Sequence, residues 1–225
     1  MGRSGLDGGV AMGDVSMSVC AQDLLKWLDA LQRVYAENKT WLTELDSAIG
    51  DADHGINLDR GFTAVKAELA KAPSADMSVI LKTVATVLIR TVGGASGPLY
   101  GTFFLRASAS CAGKVELQAN DIVTMFQAGV EGIQQRGKAE PGDKTMLDTW
   151  LPAVQAMKQT IEAGSDLPSV LQEGAAAGQA GMTSTIPLQA KKGRASYLGV
   201  RSIGHQDPGA TSSYLLLKTA ASTFR

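Results

Sequence analysis

The sequence predicts an all-α protein, and three observations carry the prediction. Apolar residues recur at three- and four-residue steps in eight segments, the period of helices with one buried face. Strand-like alternation is scarce, and valine and isoleucine fall inside the helical patterns. Most connections are short, which sets consecutive helices antiparallel in an up-and-down arrangement.

The first helix is long. Leu24, Leu25, Trp27, Leu28, Leu31, Val34, Tyr35, Trp41, Leu42 and Leu45 form one stripe, with a break expected near Asn38. The same period returns over 57–71, 77–91, 98–111, 119–136, 144–163, 167–181 and 208–222. Gly93 reads as the end of the third helix and Ser96 as the cap of the fourth, with Pro98 in its first turn. Gly137 reads as the residue just past the fifth helix. Asp143 reads as the cap of the sixth, which puts Met146 in its first turn. Asp207 and Pro208 open the eighth as N-cap and first helical residue.

The totals bound the rest. A chain of 225 residues holds one domain with a real core, here residues 20–225. Residues 1–19 read as a flexible tail, because the first 18 carry five glycines and no helical period. Apolar residues make up 44% and charged residues 19%, the balance of a soluble globular protein. A net charge of −1 argues against a nucleic-acid surface. The most apolar run, 79–92, is interrupted by Lys82 and Arg90 and is too short for the roughly 18 residues of a membrane span. Cys20 and Cys111 supply neither a disulfide framework nor zinc spacing, so a reducing cytoplasm is expected.

The connections are of two kinds. KAPSAD, AGKVELQ and AGSD are short and chemically plain. AIGDADHGIN, TVGGASGP, RGKAEPGDKT and the stretch from Gly181 to Pro208 are rich in glycine and functional side chains. The rich ones join helices one to two, three to four, five to six and seven to eight. In an up-and-down arrangement those four share one end. One end of the helical array is therefore expected to carry the site.

Asp46, Asp51 and Asp53 offer that end hard oxygen ligands and no sulfur, which suits Mg²⁺ or Ca²⁺. The other reading is local, with Asp51 and Asp53 capping the second helix and Asp46 solvated. GGASGP, at 93–98, opens a helix with small residues and bare N–H groups, either an anion site or a plain turn. Met146 suits a flat aromatic ring or the core. Lys191, Lys192, Arg194 and Arg201 lie on a long loop, read either as a lid over phosphate or as a solvated basic stretch. No P-loop occurs, and no two glycines stand two residues apart, which excludes the Rossmann fingerprint. Charge balances for metal plus nucleotide. Three aspartates and a nucleoside diphosphate bring roughly −6. Two Mg²⁺ return +4, and Arg194 with helix N-termini of about half a charge each covers the remainder.

GDADHGIN, GGASGPLYGTFF, RGKAEPGDKTM, GRASYLG and RSIGHQDPGATS, in that order, resemble the nucleotide-binding L subunits of bacterial dihydroxyacetone kinases. The resemblance runs from about residue 22 to the end. It implies an eight-helix antiparallel barrel with the nucleotide site at one end. It implies that Asp46, Asp51 and Asp53 bind two Mg²⁺ ions that hold the phosphates of a tightly bound ADP/ATP. Nucleotide contacts carry over to His54, Gly55, Ile56, Asn57, Ala95, Ser96, Gly137, Met146, Arg194, Asp207, Pro208 and Gly209. Arg194 is the one expected catalytic contact, on phosphate.

The chain's length resembles the stand-alone L chains driven by the phosphoenolpyruvate phosphotransferase system. There an M subunit rephosphorylates the bound ADP and the γ-phosphate passes to dihydroxyacetone on a K subunit. A transcriptional regulator and a homodimer are further implied partners, without nucleic acid or membrane. Three other readings stand beside this one. They are an ATP-exchanging kinase subunit for another small hydroxyketone, an aspartyl-phosphate transferase, and a nucleotide-sensing regulatory module.

Overall fold

A computed structural model describes residues 17–225. The expected tail therefore lies mostly outside the described residues. Its last member does not: Val19 is 1% exposed and, with Cys20, forms β1 (Val19–Cys20). This strand pairs antiparallel with β2 (Glu116–Leu117), inside the second plain loop. A two-residue strand has no period to detect, so the domain boundary falls earlier than the sequence suggests.

The long first helix breaks at Asn38, as its pattern indicates, into α1 (Ala21–Glu37) and α2 (Lys39–Ile49). Asn38 ends α1 by donating its side-chain amide to the Val34 carbonyl at 2.8 Å, competing with helix continuation. Then follow α3 (His54–Lys71), α4 (Met77–Thr91), α5 (Ser96–Ser110), α6 (Ala119–Gly137), α7 (Leu147–Glu162), α8 (Leu167–Ser184) and α9 (Pro208–Thr223). The Gly181–Pro208 connection has structure of its own, a 3-10 segment over Arg194–Ser202. Local hydrogen bonds and the small cluster of Ile49, Ala190 and Ala195 hold it, features invisible to a helical-period test.

Consecutive helices pack side by side from α3 to α9, and α1 packs on both α3 and α9, so the run of neighbours returns to its start. The interior is aromatic. Trp27 meets Phe104, Phe126 and Phe224, while Phe103 stacks on Trp150 at 4.9 Å between centroids. All six are under 2% exposed, so their large surfaces supply much of the hydrophobic stabilisation. No helix among the described residues is long and apolar enough to cross a membrane.

Caps fix the helix ends. Asp76 accepts from the Ser78 and Val79 amides, Asp166 from Ser169, and Asp207 from Ala210 at 2.7 Å. Three expected ends differ. Ser96 is the first residue of α5, not its cap. Gly137 is still helical, and Lys138, at φ +49°, closes α6 in the left-handed conformation usually left to glycine. Asp143 lies too far ahead of α7, which starts at Leu147. Its Oδ2 accepts from the Glu140 amide instead, while Met146 takes the N-cap position.

Candidate functional site

Odd-to-even connectivity brings the four rich loops together around a cleft of about 480 Å³. Its described lining comes from 46–54, 93–99, 133–147, 192–195 and 207–209, and none of it from the three plain loops.

The three aspartates are part of this lining. One carboxylate oxygen from each of Asp46, Asp51 and Asp53 lies within 4.8 Å of the other two. Asp46, on the last turn of α2, is buried. Its Oδ2 accepts from the Asp53 amide at 2.9 Å and the His54 amide at 3.1 Å. A carboxylate of one helix thus caps the next, at the positive end of its dipole. Asp53 makes no cap bond with its own side chain, which leaves its carboxylate free of that local role. Between Asp51 and Asp53, Ala52 is held at φ +60°, a conformation unfavourable for alanine and characteristic of functional turns. Gly50 is required by close approach: a Cβ there would stand 2.0 Å from Asp46 Oδ1. Arg194 Nε donates to Asp51 Oδ2 at 2.9 Å. So exposed a pair adds little stability, but it sets the start of the 3-10 segment beside the carboxylates.

Four helices, α3, α5, α7 and α9, begin at this end, and they differ in their capping. Asp46 serves α3 and Asp207 serves α9, whereas α5, after Gly93, Gly94 and Ala95, and α7, at Met146, start without a side-chain N-cap bond. Bare N–H groups at a helix start attract phosphate. Ser96 instead turns its hydroxyl to His54 Nδ1, 3.2 Å away, while His54 Nε2 lies 2.9 Å from Ser212 Oγ. Tyr100 and Tyr35 continue this buried polar chain, to the Ser212 side chain and carbonyl respectively. Burial holds the imidazole down to about 4, although Asp46 and Asp53 pull the other way, so His54 is neutral near pH 7. Burial also pushes the Asp207 carboxyl up to about 7, against the Ala210 amide and Lys144, which favour its charged form.

Most residues expected at the site line this cleft: Asp46, Asp51, Asp53, His54, Ala95, Ser96, Gly137, Met146, Arg194, Asp207, Pro208 and Gly209. Gly55, Ile56 and Asn57 do not. Gly55 serves the α2–α3 crossing, where a Cβ would stand 2.1 Å from the Lys39 carbonyl. Ile56 is 43% exposed, and buried Asn57 accepts from Arg60.

The sequence reading missed the apolar wall and two charged residues. Leu99, Ile133 and Leu147 line the cleft, but inside helices they look like ordinary core. Asp148 accepts from the Gly142 and Thr145 amides and shapes the 142–148 turn. Lys144, inside the same GDKT stretch, is 1% exposed. A charged residue in a glycine-rich loop was the available signal for Lys144, and an acidic residue in the first turn of α7 that for Asp148.

The DAK2 domain family matches residues 48–222. The chain is 44% identical over 205 residues to the ADP-binding subunit DhaL of the PEP-dependent dihydroxyacetone kinase of Escherichia coli (strain K12), covering 91% of this chain and 98% of that one. It is 42% identical over 195 residues to the ADP-binding subunit DhaL of the PTS-dependent dihydroxyacetone kinase of Lactococcus lactis, covering 87% and 93%. The crystal structure of the dihydroxyacetone kinase from C. freundii in complex with AMP-PNP and Mg²⁺ matches in fold at a TM-score of 0.70 and 21% identity, over 99% of this chain and 38% of that one. From motif order, helix arrangement and these likenesses together, the chain belongs to the DAK2 domain family.

Proposed function

We propose that this chain is the ADP-holding subunit of a phosphotransferase-system-dependent dihydroxyacetone kinase. It takes phosphate from a cytoplasmic M subunit and delivers it to dihydroxyacetone on a K subunit. The observation that carries the reading is the carboxylate triad in the lining of a cleft that also has an apolar wall and the uncapped start of α5.

The donor set fits Mg²⁺. All three groups are carboxylates, and Asp53 is free of cap duty. Asp46, Asp51 and Asp53 would hold two such ions, which when bound would supply positive charge against the phosphates. The chain's own residues bind and orient. The start of α5, at Ala95 and Ser96, offers N–H groups to phosphate, and Arg194 stands beside Asp51 to add a positive charge. Met146, Leu99 and Ile133 present apolar surface to a flat base. Neutral His54 holds the Ser96 hydroxyl without adding charge. Positioning and electrostatics supply the rate, with no side-chain nucleophile required.

Native mass spectrometry of the purified chain tests this reading. The expected mass is protein plus one ADP and divalent metal. Loss of both is expected in Asp51→Ala. A bare wild-type chain, or equal nucleotide content in the variant, refutes it.

A further inference from the structure

Lys144 is a cation lining a phosphate-ready cleft, yet its charge is already committed. Its Nζ donates to the Thr185 carbonyl at 2.6 Å, the Ile186 carbonyl at 3.5 Å and the His205 carbonyl. An ammonium has three N–H donors, and these three acceptors engage them all. The acceptors are not a random set. Thr185 and Ile186 follow the end of α8, and His205 lies just before α9, so the two stems of the 185–207 loop are gathered on one side chain from a third loop. Two further bonds tie the same stems: Gly204 N to Ile186 O at 2.8 Å, and Asp207 N to Thr185 Oγ1 at 3.0 Å. Burial lowers the Lys144 pKa, and the negative end of α8 and the nearby Asp207 and Asp148 offset that only in part, so the ammonium depends on its three carbonyl partners. Lys144 reaches it from a backbone at φ +61°, a conformation lysine rarely adopts.

We propose that Lys144 is a positioning residue, a clamp on the neck of the 185–207 loop that sets Arg194 and Asp207 at the cleft. It acts on the nucleotide only through that loop. Its role toward nucleotide rests on the proposed function, whereas the clamp itself does not.

The test uses the full chain with Lys144→Met, which keeps the stem and removes the donors, and with Lys144→Arg, which restores charge and N–H groups. The loop carries tryptic sites at Lys191, Lys192, Arg194 and Arg201. In nucleotide-free protein that keeps its helical circular dichroism, Lys144→Met is expected to speed cleavage at those sites about tenfold or more, the factor for about one lost charge-assisted bond. Labelled ADP is expected to dissociate faster by a similar factor, and Lys144→Arg to recover part of both. Unchanged loop cleavage in folded Lys144→Met overturns the clamp. Faster cleavage with unchanged ADP release overturns the positioning role. If Lys144→Met does not fold, Thr185→Val removes a second stem tie without touching the ammonium. It must then loosen the same tryptic sites, and failure to do so overturns the proposal. A wild-type chain that binds no ADP refutes the functional reading, while the cleavage arm still decides the clamp.

Discussion

Replacing Asp53 by asparagine separates the metal role of the carboxylates from their structural role, because the two predict opposite signs. Asparagine is as good at an N-cap position as aspartate, Asp53 makes no cap bond with its side chain, and Arg194 pairs with Asp51 instead. The substitution therefore removes charge and little else. In the metal-free protein that charge is unfavourable. Asp46 and Asp51 each present an oxygen within 4.8 Å of it, and one such pair repels by ~0.9 kcal/mol at the dielectric of water and ~3.5 kcal/mol at a near-surface value. Asp51 is exposed and partly neutralised by Arg194, so the lower end applies, about 1–2 kcal/mol in all. For a chain of this size that is a melting temperature roughly 2–6 °C higher. Thermal unfolding in EDTA should thus show Asp53→Asn more stable than wild type. In excess Mg²⁺ the order should reverse, since wild type gains about 2.7 kcal/mol at a hundred times its dissociation constant and the variant gains far less. A variant that melts lower than wild type in EDTA, or that gains equally from Mg²⁺, refutes the reasoning.

Gly50→Ala would put a methyl group 2.0 Å from Asp46 Oδ1, so the carboxylate must move by roughly 1.4 Å to reach ordinary contact. Mg²⁺ binding by calorimetry should weaken by about tenfold or more while the helical signal is kept, an outcome of displaced ligand rather than lost fold. Asp207, held near 7 against an ordinary 3.8, keeps its proton in the folded state while the unfolded chain ionises, so it subtracts stability as pH rises from about 4 to about 7. His54, held near 4 against 6.5, does the reverse and adds stability as pH rises from about 4 to about 6.5. Urea midpoints of metal-free protein should therefore climb with pH across that window in Asp207→Asn and fall in His54→Gln, with wild type between them. Phe103→Ala removes a ring stacked on Trp150 in a fully buried site and should cost about 3–5 kcal/mol in chemical unfolding, against less than about 1 kcal/mol for exposed Tyr197→Ala.

The helices were legible because each buries one face and so repeats every three or four residues. Even the break at Asn38 shows in the stripe. The common end of the four rich loops followed from counting connections, with no knowledge of any contact. What stayed hidden has no period. Val19 and Cys20 pair across nearly a hundred residues with Glu116 and Leu117. The 3-10 segment is held by hydrogen bonds such as Ala190 N to Ser202 Oγ, which leave no mark in hydropathy. Capping chemistry misled in one instructive way. Local rules assign each cap to the nearest acidic residue, whereas α3 is capped from the preceding helix by Asp46. A polar bond formed through tertiary structure looks, in sequence, like any other aspartate. Lys144 is the same case, since a lysine in a loop reads as solvated until three carbonyls are found around it.

The β1–β2 pair has a bearing on how this domain is joined to others. It fixes the start of α1 to the plain loop between α5 and α6, and α9 runs from Pro208 at the cleft toward the same opposite end. Residues 17 and 225 thus leave the helical array on the side away from the site. A reporter or second domain can be grafted at either point without shadowing the cleft.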